Sequence, residues 1–193
     1  MPGGVNATQT PPVEVVQGNL LKQDGDIDAI VNPANEQLDN AGGLAARIEE
    51  AASPKFKDDC SRLRPVSTGS AKVSAGGGQL KQNHVINAVG PIWQGGNHDE
   101  AHLLASVHTA IVRVASQNGL RRVALPPIST GIFNYPAKQA APVAILATLQ
   151  ALTVYPNVVL VRFVMYLSND PETDDSKKLP LYEDALKSAL AGA

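Results

Sequence analysis

At 193 residues, with 44% hydrophobic and 18% charged side chains, the chain is long enough to bury a core and too apolar to be intrinsically disordered. Its formal net charge of −2, from 16 basic and 18 acidic residues, gives no electrostatic case for nucleic-acid binding. One cysteine, Cys60, excludes an internal disulfide framework and suits a reducing compartment, and no apolar run approaches the roughly 20 residues of a membrane span.

Met1–Pro12 lacks the charged and apolar regions of a signal peptide and reads as a disordered leader. An intracellular protein, cytoplasmic or nuclear, is therefore expected, with one domain over residues 13–193. Val13–Val16 is a short strand, Asp24-Gly25-Asp26 a turn, and Ile27–Val31 a buried strand. Leu44–Ala52 has helix-forming composition and is broken by Pro54; Phe56–Leu63 is a second helical piece stopped by Arg64-Pro65. Ala71–Ala75 and His84–Val89 are strands around Gly76-Gly77-Gly78. That glycine run is followed by a strand and not by a helix, so it reads as a hairpin turn, not a phosphate loop. A helix follows over His98–Asn118, with Leu104, His108, Ile111, Val112 and Ala115 at helical spacing and Gly119 as C-cap. Then come the strand Val123–Leu125, a helix over Ala137–Thr153 with Pro142 near its start, the continuously apolar strand Val158–Leu167, and a closing amphipathic helix, Leu181–Leu190. Strands alternating with helices predict a three-layer α/β/α sandwich around a mixed, largely parallel sheet.

Two glycine-bearing stretches stand out. Asn32-Pro33-Ala34-Asn35 leads after five residues to Ala41-Gly42-Gly43, and Ser129-Thr130-Gly131-Ile132-Phe133-Asn134-Tyr135-Pro136 follows the strand ending at Leu125. Each lies between an apolar β-branched run and a helix start, where free backbone N–H groups and the helix dipole favour an anion. Two such loops beyond the carboxyl ends of strands suit a ligand with two adjacent phosphates.

NPAN-x5-AGG (residues 32–43), HVINAVGPIW (84–93) and PPISTGIFNYP (126–136) occur in the order and at the spacing of a macro domain, and the chain resembles that family from about Val13 to Ala193. The resemblance implies binding of ADP-ribose, free or on mono-ADP-ribosylated proteins, by a monomer that needs no cofactor or metal. It implies that Gly42, Gly43 and Leu44 face the diphosphate and distal ribose, and that Asn35 hydrogen-bonds the distal ribose hydroxyls. Ser129, Thr130, Gly131, Ile132 and Phe133 would form the second loop, with Phe133 against the distal ribose and Asn134 where the family often has glycine. Tyr166 would stack on adenine. Asn19 stands where relatives carry an aspartate that accepts from the adenine amino group; an amide oxygen can accept too, without charge assistance. Leu20, Ala34 and Asn40 complete the expected lining.

The resemblance also raises hydrolysis of ADP-ribose from acidic side chains, or of a small ADP-ribose ester or phosphate. Ala45 and Asn40, however, occupy positions where active relatives carry aspartate or histidine. Catalysis would then rest on Asn35 positioning a water, assisted by a substrate phosphate. Glu49-Glu50 read as a solvated surface pair. His98 and His102 have a metal-compatible spacing but no third ligand, and read as surface histidines. Cys60 reads as inert.

Overall fold

A computed structural model describes residues 12–170 and 174–192. Except for Pro12, the expected leader lies outside those residues. The elements are β1 (Val13–Gln17), a 3-10 turn (Leu20–Lys22), β2 (Ala29–Ala34), α1 (Gly43–Ala51), α2 (Pro54–Leu63), β3 (Ala71–Ala75), β4 (His84–Val89), α3 (Glu100–Gln117), β5 (Arg122–Leu125), α4 (Ala137–Val154), β6 (Leu160–Met165) and α5 (Leu179–Ala191). Only the 3-10 turn has no counterpart among the sequence expectations; it forms because Asn19 caps it, accepting from the Leu21 N–H at 2.9 Å.

The sheet has the order β1-β6-β5-β2-β4-β3, parallel except for the β3–β4 hairpin. Side chains alternate across it, as a strand requires. Val31, Ile86, Leu125 and Phe163 face α3, α4 and α5. Ile30, Val85, Ala124 and Val164 face Ile48 of α1 and Phe56 and Cys60 of α2. These two cores make the three expected layers, and each fully buried Ile, Leu or Phe in them contributes about 1.5–3 kcal/mol.

β2 runs three residues further than Ile27–Val31 suggested, taking in Asn32-Pro33-Ala34. β5 pairs only with Ala29 and Ile30, so the later part of β2 has no partner on that side and Pro33 is accommodated without an N–H. Pro54, expected as a breaker, also opens α2 at its first turn. Among the described residues no helix is long and apolar enough to cross a membrane.

Candidate functional site

Five parallel strands present their carboxyl ends at one edge of the sheet. The residues just beyond those ends line a cleft of about 650 Å³. Asn19, Leu20 and Leu21 follow β1, Tyr166 follows β6, residues 126–129 and 131–133 follow β5, Asn35 and residues 40–43 follow β2, and Gly90 follows β4. β2 and β5 are neighbours, yet α1 covers one face of the sheet and α4 the other. Their loops therefore part in opposite directions and leave a crevice between them, the switch-point geometry at which open α/β sheets take ligands.

In the first loop, Leu38 and Asn40 adopt left-handed φ values of 49° and 52°, and Gly43 one of 58°. Only glycine takes that conformation without strain. A side chain at 43 would also meet Ile132 of the second loop at 3.3 Å, so the two loops approach each other here. α1 starts with no side-chain cap and no acidic residue in its first turn. The N–H groups of Gly42, Gly43, Leu44 and Ala45 have no partner among the described residues. The guanidinium of Arg47, exposed one turn along α1, lines the cleft without an ion-pair partner among the described residues.

A buried amide network holds this loop from behind. Asn32, fully buried, donates from Nδ2 to Asn40 Oδ1 and Asn87 Oδ1, both at 2.9 Å. Asn40 Nδ2 donates to Glu49 Oε2 at 2.9 Å, and Asn87 Nδ2 to Ser74 Oγ at 2.9 Å. Glu49 is thus not the solvated residue expected from the sequence: the turn of α1 brings it under the loop, while Glu50 stays exposed. Cys60 lies beneath the network; burial pushes its thiol pKa up, the Asn40 contact opposes this, and the charges of Glu49 and Asp59 add to it. Asn35 Nδ2 donates to Asp39 Oδ1 at 2.7 Å, which sets the plane of its amide.

In the second loop, Ser129 has φ 66° and a buried hydroxyl without a partner, packed so tightly on Gly90 that a methyl group there would collide with it. The N–H groups of Ser129, Gly131, Ile132 and Phe133 have no partner among the described residues, and the space beside Gly131 is open. The loop is closed by Tyr135 N–H to Ser129 O (2.9 Å) and Trp93 N–H to Phe133 O (2.9 Å), with the Trp93 and Tyr135 rings 4.6 Å apart. Behind Trp93, Glu100 accepts from Gln94 N–H (2.9 Å), Gly96 N–H (3.0 Å) and His98 N–H (2.6 Å). Burial raises the pKa of its carboxyl, but the backbone donors of Glu100 itself, His98, Gln94 and Gly96 outweigh this and pull it down to about 2.

Of the residues expected to line the site, Asn19, Leu20, Ala34, Asn35, Asn40, Gly42, Gly43, Leu44, Ser129, Gly131, Ile132, Phe133 and Tyr166 do so. Thr130 and Asn134 do not. The Thr130 hydroxyl is turned to Pro127 O (2.8 Å) and the Asn134 amide to Ile132 O (3.2 Å), so both brace the loop from within. Arg47, Gly90, Asp175 and Lys178, which also line the cleft, and Asp39, which holds the Asn35 amide from outside the lining, were absent from the expectation. The glycine-loop pattern carries no signal for Asp175 and Lys178, which sit beyond a polar segment after β6. His98 and His102 are exposed.

A family model described as the Macro domain matches residues 31–144. A macro domain-containing protein of Cupriavidus necator is 38% identical over 178 residues, covering 90% of this chain and 96% of the relative. An O-acetyl-ADP-ribose deacetylase of Salmonella typhimurium is 38% identical over 168 residues, covering 85% of this chain and 90% of its own length. Among solved structures, the Oceanobacillus iheyensis macrodomain with ADP superposes with a TM-score of 0.80 at 26% identity, over 98% of this chain and 96% of that one. The Trypanosoma brucei macrodomain in complex with ADP-ribose shares the fold, with a TM-score of 0.75 at 24% identity over 91% of this chain and 69% of that one.

Proposed function

The chain belongs to the macro domain family, and on that premise we propose that its cleft binds ADP-ribose, free or as the modification on mono-ADP-ribosylated proteins. The observation that carries this reading is the order of groups along the sheet edge. An aromatic, apolar slot with one amide (Tyr166, Leu20, Val164, Asn19) lies at the β1–β6 end, and unpaired backbone donors lie at the β5–β2 crevice. A base, a diphosphate and a second ribose follow one another in the same order, with Asn35 and Phe133 at the far ribose. Calorimetry with ADP-ribose tests it: saturable heat with one site is expected, and no heat at millimolar ligand would sink it. A monomer in the cytoplasm or nucleus is part of the same proposal, and light scattering tests its oligomeric half.

A second reading, hydrolysis of an ADP-ribose ester or of ADP-ribose on an acidic side chain, draws support from the relative named as an O-acetyl-ADP-ribose deacetylase. In this chain the step would use Asn35, its amide fixed by Asp39, to hold a water against the distal ribose. Turnover of O-acetyl-ADP-ribose and of a glutamate-linked ADP-ribosyl protein separates it from pure binding. Asn35→Ala should abolish turnover while leaving binding measurable; no turnover by the wild type on either substrate rejects it.

A further inference from the structure

We propose that Arg47 is a ligand-binding residue of the cleft: its guanidinium closes on the diphosphate beside the first loop and makes charge, not neutral hydrogen bonding alone, a determinant of affinity. This rests on the ADP-ribose reading above and concerns one contact of that ligand. The charged residues lining the cleft, among those described, are Arg47, Asp175 and Lys178. Asp175 and Lys178 neutralise each other: Lys178 Nζ lies 2.6 Å from Asp175 Oδ1, with side-chain exposures of 20% and 12%, and Asp175 Oδ2 accepts from Tyr166 N–H at 3.0 Å. Arg47 has no ion pair among the described residues. The acids next to it in sequence leave it so: Glu49 is held by Asn40 at 2.9 Å and by Lys57 at 3.4 Å, and Glu50 does not line the cleft. The lining therefore keeps one uncompensated positive charge.

Its place in the fold sets what that charge meets. Leu44 and Arg47 are three apart in α1 and so share a face of the helix, and both line the cleft. Helix side chains lean towards the helix N-terminus. This carries the guanidinium back over the turn whose N–H groups, from Gly42 to Ala45, have no partner among the described residues. The second loop approaches the same turn from across the crevice: Ile132 would lie 3.3 Å from a side chain at Gly43, and Ser129 carries a buried hydroxyl without a partner. Those N–H groups and that hydroxyl are neutral. Each phosphate of a diphosphate is negative, and the planar guanidinium fork pairs with two phosphate oxygens at once. Because Arg47 is exposed, its attraction for them is screened by salt, more strongly than that of neutral donors.

Calorimetric titration of the whole protein with ADP-ribose at about 50 mM and about 500 mM sodium chloride tests this in the wild type, Arg47→Met and Arg113→Met. Methionine keeps an apolar stem and removes the charge. Arg113 is exposed on α3, in the layer across the sheet from α1 and outside the cleft lining, so its loss changes the net charge equally. Arg47→Met should weaken ADP-ribose by about tenfold at the lower salt. Between the two salts the wild type should lose about fivefold in affinity, and Arg47→Met less than about twofold. Arg113→Met should match the wild type in both respects. Both substitutions fall on exposed side chains, so neither should move the melting temperature. If Arg47→Met keeps the wild-type affinity, keeps the wild-type salt dependence, or is matched by Arg113→Met, the inference is overturned and ADP-ribose binding stands. A wild type that binds no ADP-ribose at either salt overturns the ADP-ribose reading and this inference with it.

Discussion

The loop after β2 and the loop after β5 offer the same chemistry, unpaired backbone N–H groups at the edge of a parallel sheet, but are supported by different means. The first rests on the buried amides of Asn32, Asn40 and Asn87 and on the half-buried Glu49, which bond one another across as many as 55 residues of sequence. The second rests on its own backbone turns and on the Trp93–Tyr135 ring contact, with Ile132 left 76% exposed at its crest. Buried polar networks are costly to leave half satisfied, so the first loop is tied to the stability of the whole domain. The second can change on its outer side at little cost to folding. The difference teaches that a shared ligand role need not imply a shared sensitivity to mutation.

The sharpest way to break that contrast is Gly131→Glu. Open space beside Gly131 should hold the new side chain without unfolding, while its carboxylate faces the phosphates. Affinity for ADP-ribose should fall by about a hundredfold or more by calorimetry, with a melting temperature close to wild type. Retained affinity would place the phosphates elsewhere. The mirror experiment is Asn32→Leu, which leaves the Asn40 carbonyl without a donor and the Asn87 carbonyl with only the Cys60 thiol at 3.9 Å. It should cost about 3 kcal/mol in denaturant unfolding; a cost below about 0.5 kcal/mol would show the network to be dispensable.

Acid separates stability from binding in another way. His108 is 1% exposed, donates from Nδ1 to Leu104 O at 2.8 Å, and packs on Phe163 with ring centroids 6.0 Å apart. Burial lowers its pKa from 6.5 to about 4, against the opposing effect of the Leu104 bond. Between those values the unfolded chain takes up the proton first, so stability present above pH 6.5 is lost as pH falls towards 4. The loss should total about 3 kcal/mol, and His108→Leu should flatten that part of the pH profile. Affinity per folded molecule should stay level over the same range, because neither loop places a histidine in the cleft. The smallest effect is expected from Glu100→Gln, whose amide oxygen keeps the partners of one carboxylate oxygen while its NH2 is set against those of the other, either His98 N–H or the N–H groups of Gln94 and Gly96. Loosening Trp93 behind the second loop should weaken ADP-ribose by somewhere between about twofold and thirtyfold. Unchanged affinity would mean that the loop does not depend on Trp93.

Much of this was legible in the residues themselves. The hairpin at Gly76-Gly77-Gly78, the helix over α3 with its C-terminal glycine and the apolar strand β6 follow from spacing alone, because periodicity and turn chemistry act over a few residues. The two glycine loops were visible for the same reason: strand, small residues and helix start are contiguous in the chain. Thr130 and Asn134 misled because their neighbours in sequence line the cleft, while the turn between them directs their own side chains to Pro127 and Ile132.

By itself, then, the sequence determined the layers, the family and the place of the two glycine loops, all of them products of local pattern. Only the tertiary structure decided that Glu49 braces the first loop through Asn40, that Asp39 orients Asn35, and that Asp175 is spent on Tyr166 and Lys178. Such pairings depend on where rotamers point once the sheet has brought distant segments together, and on which donor reaches a shared acceptor first. Neither is written in composition or spacing, because each is settled by the competition among groups that meet only in the folded chain.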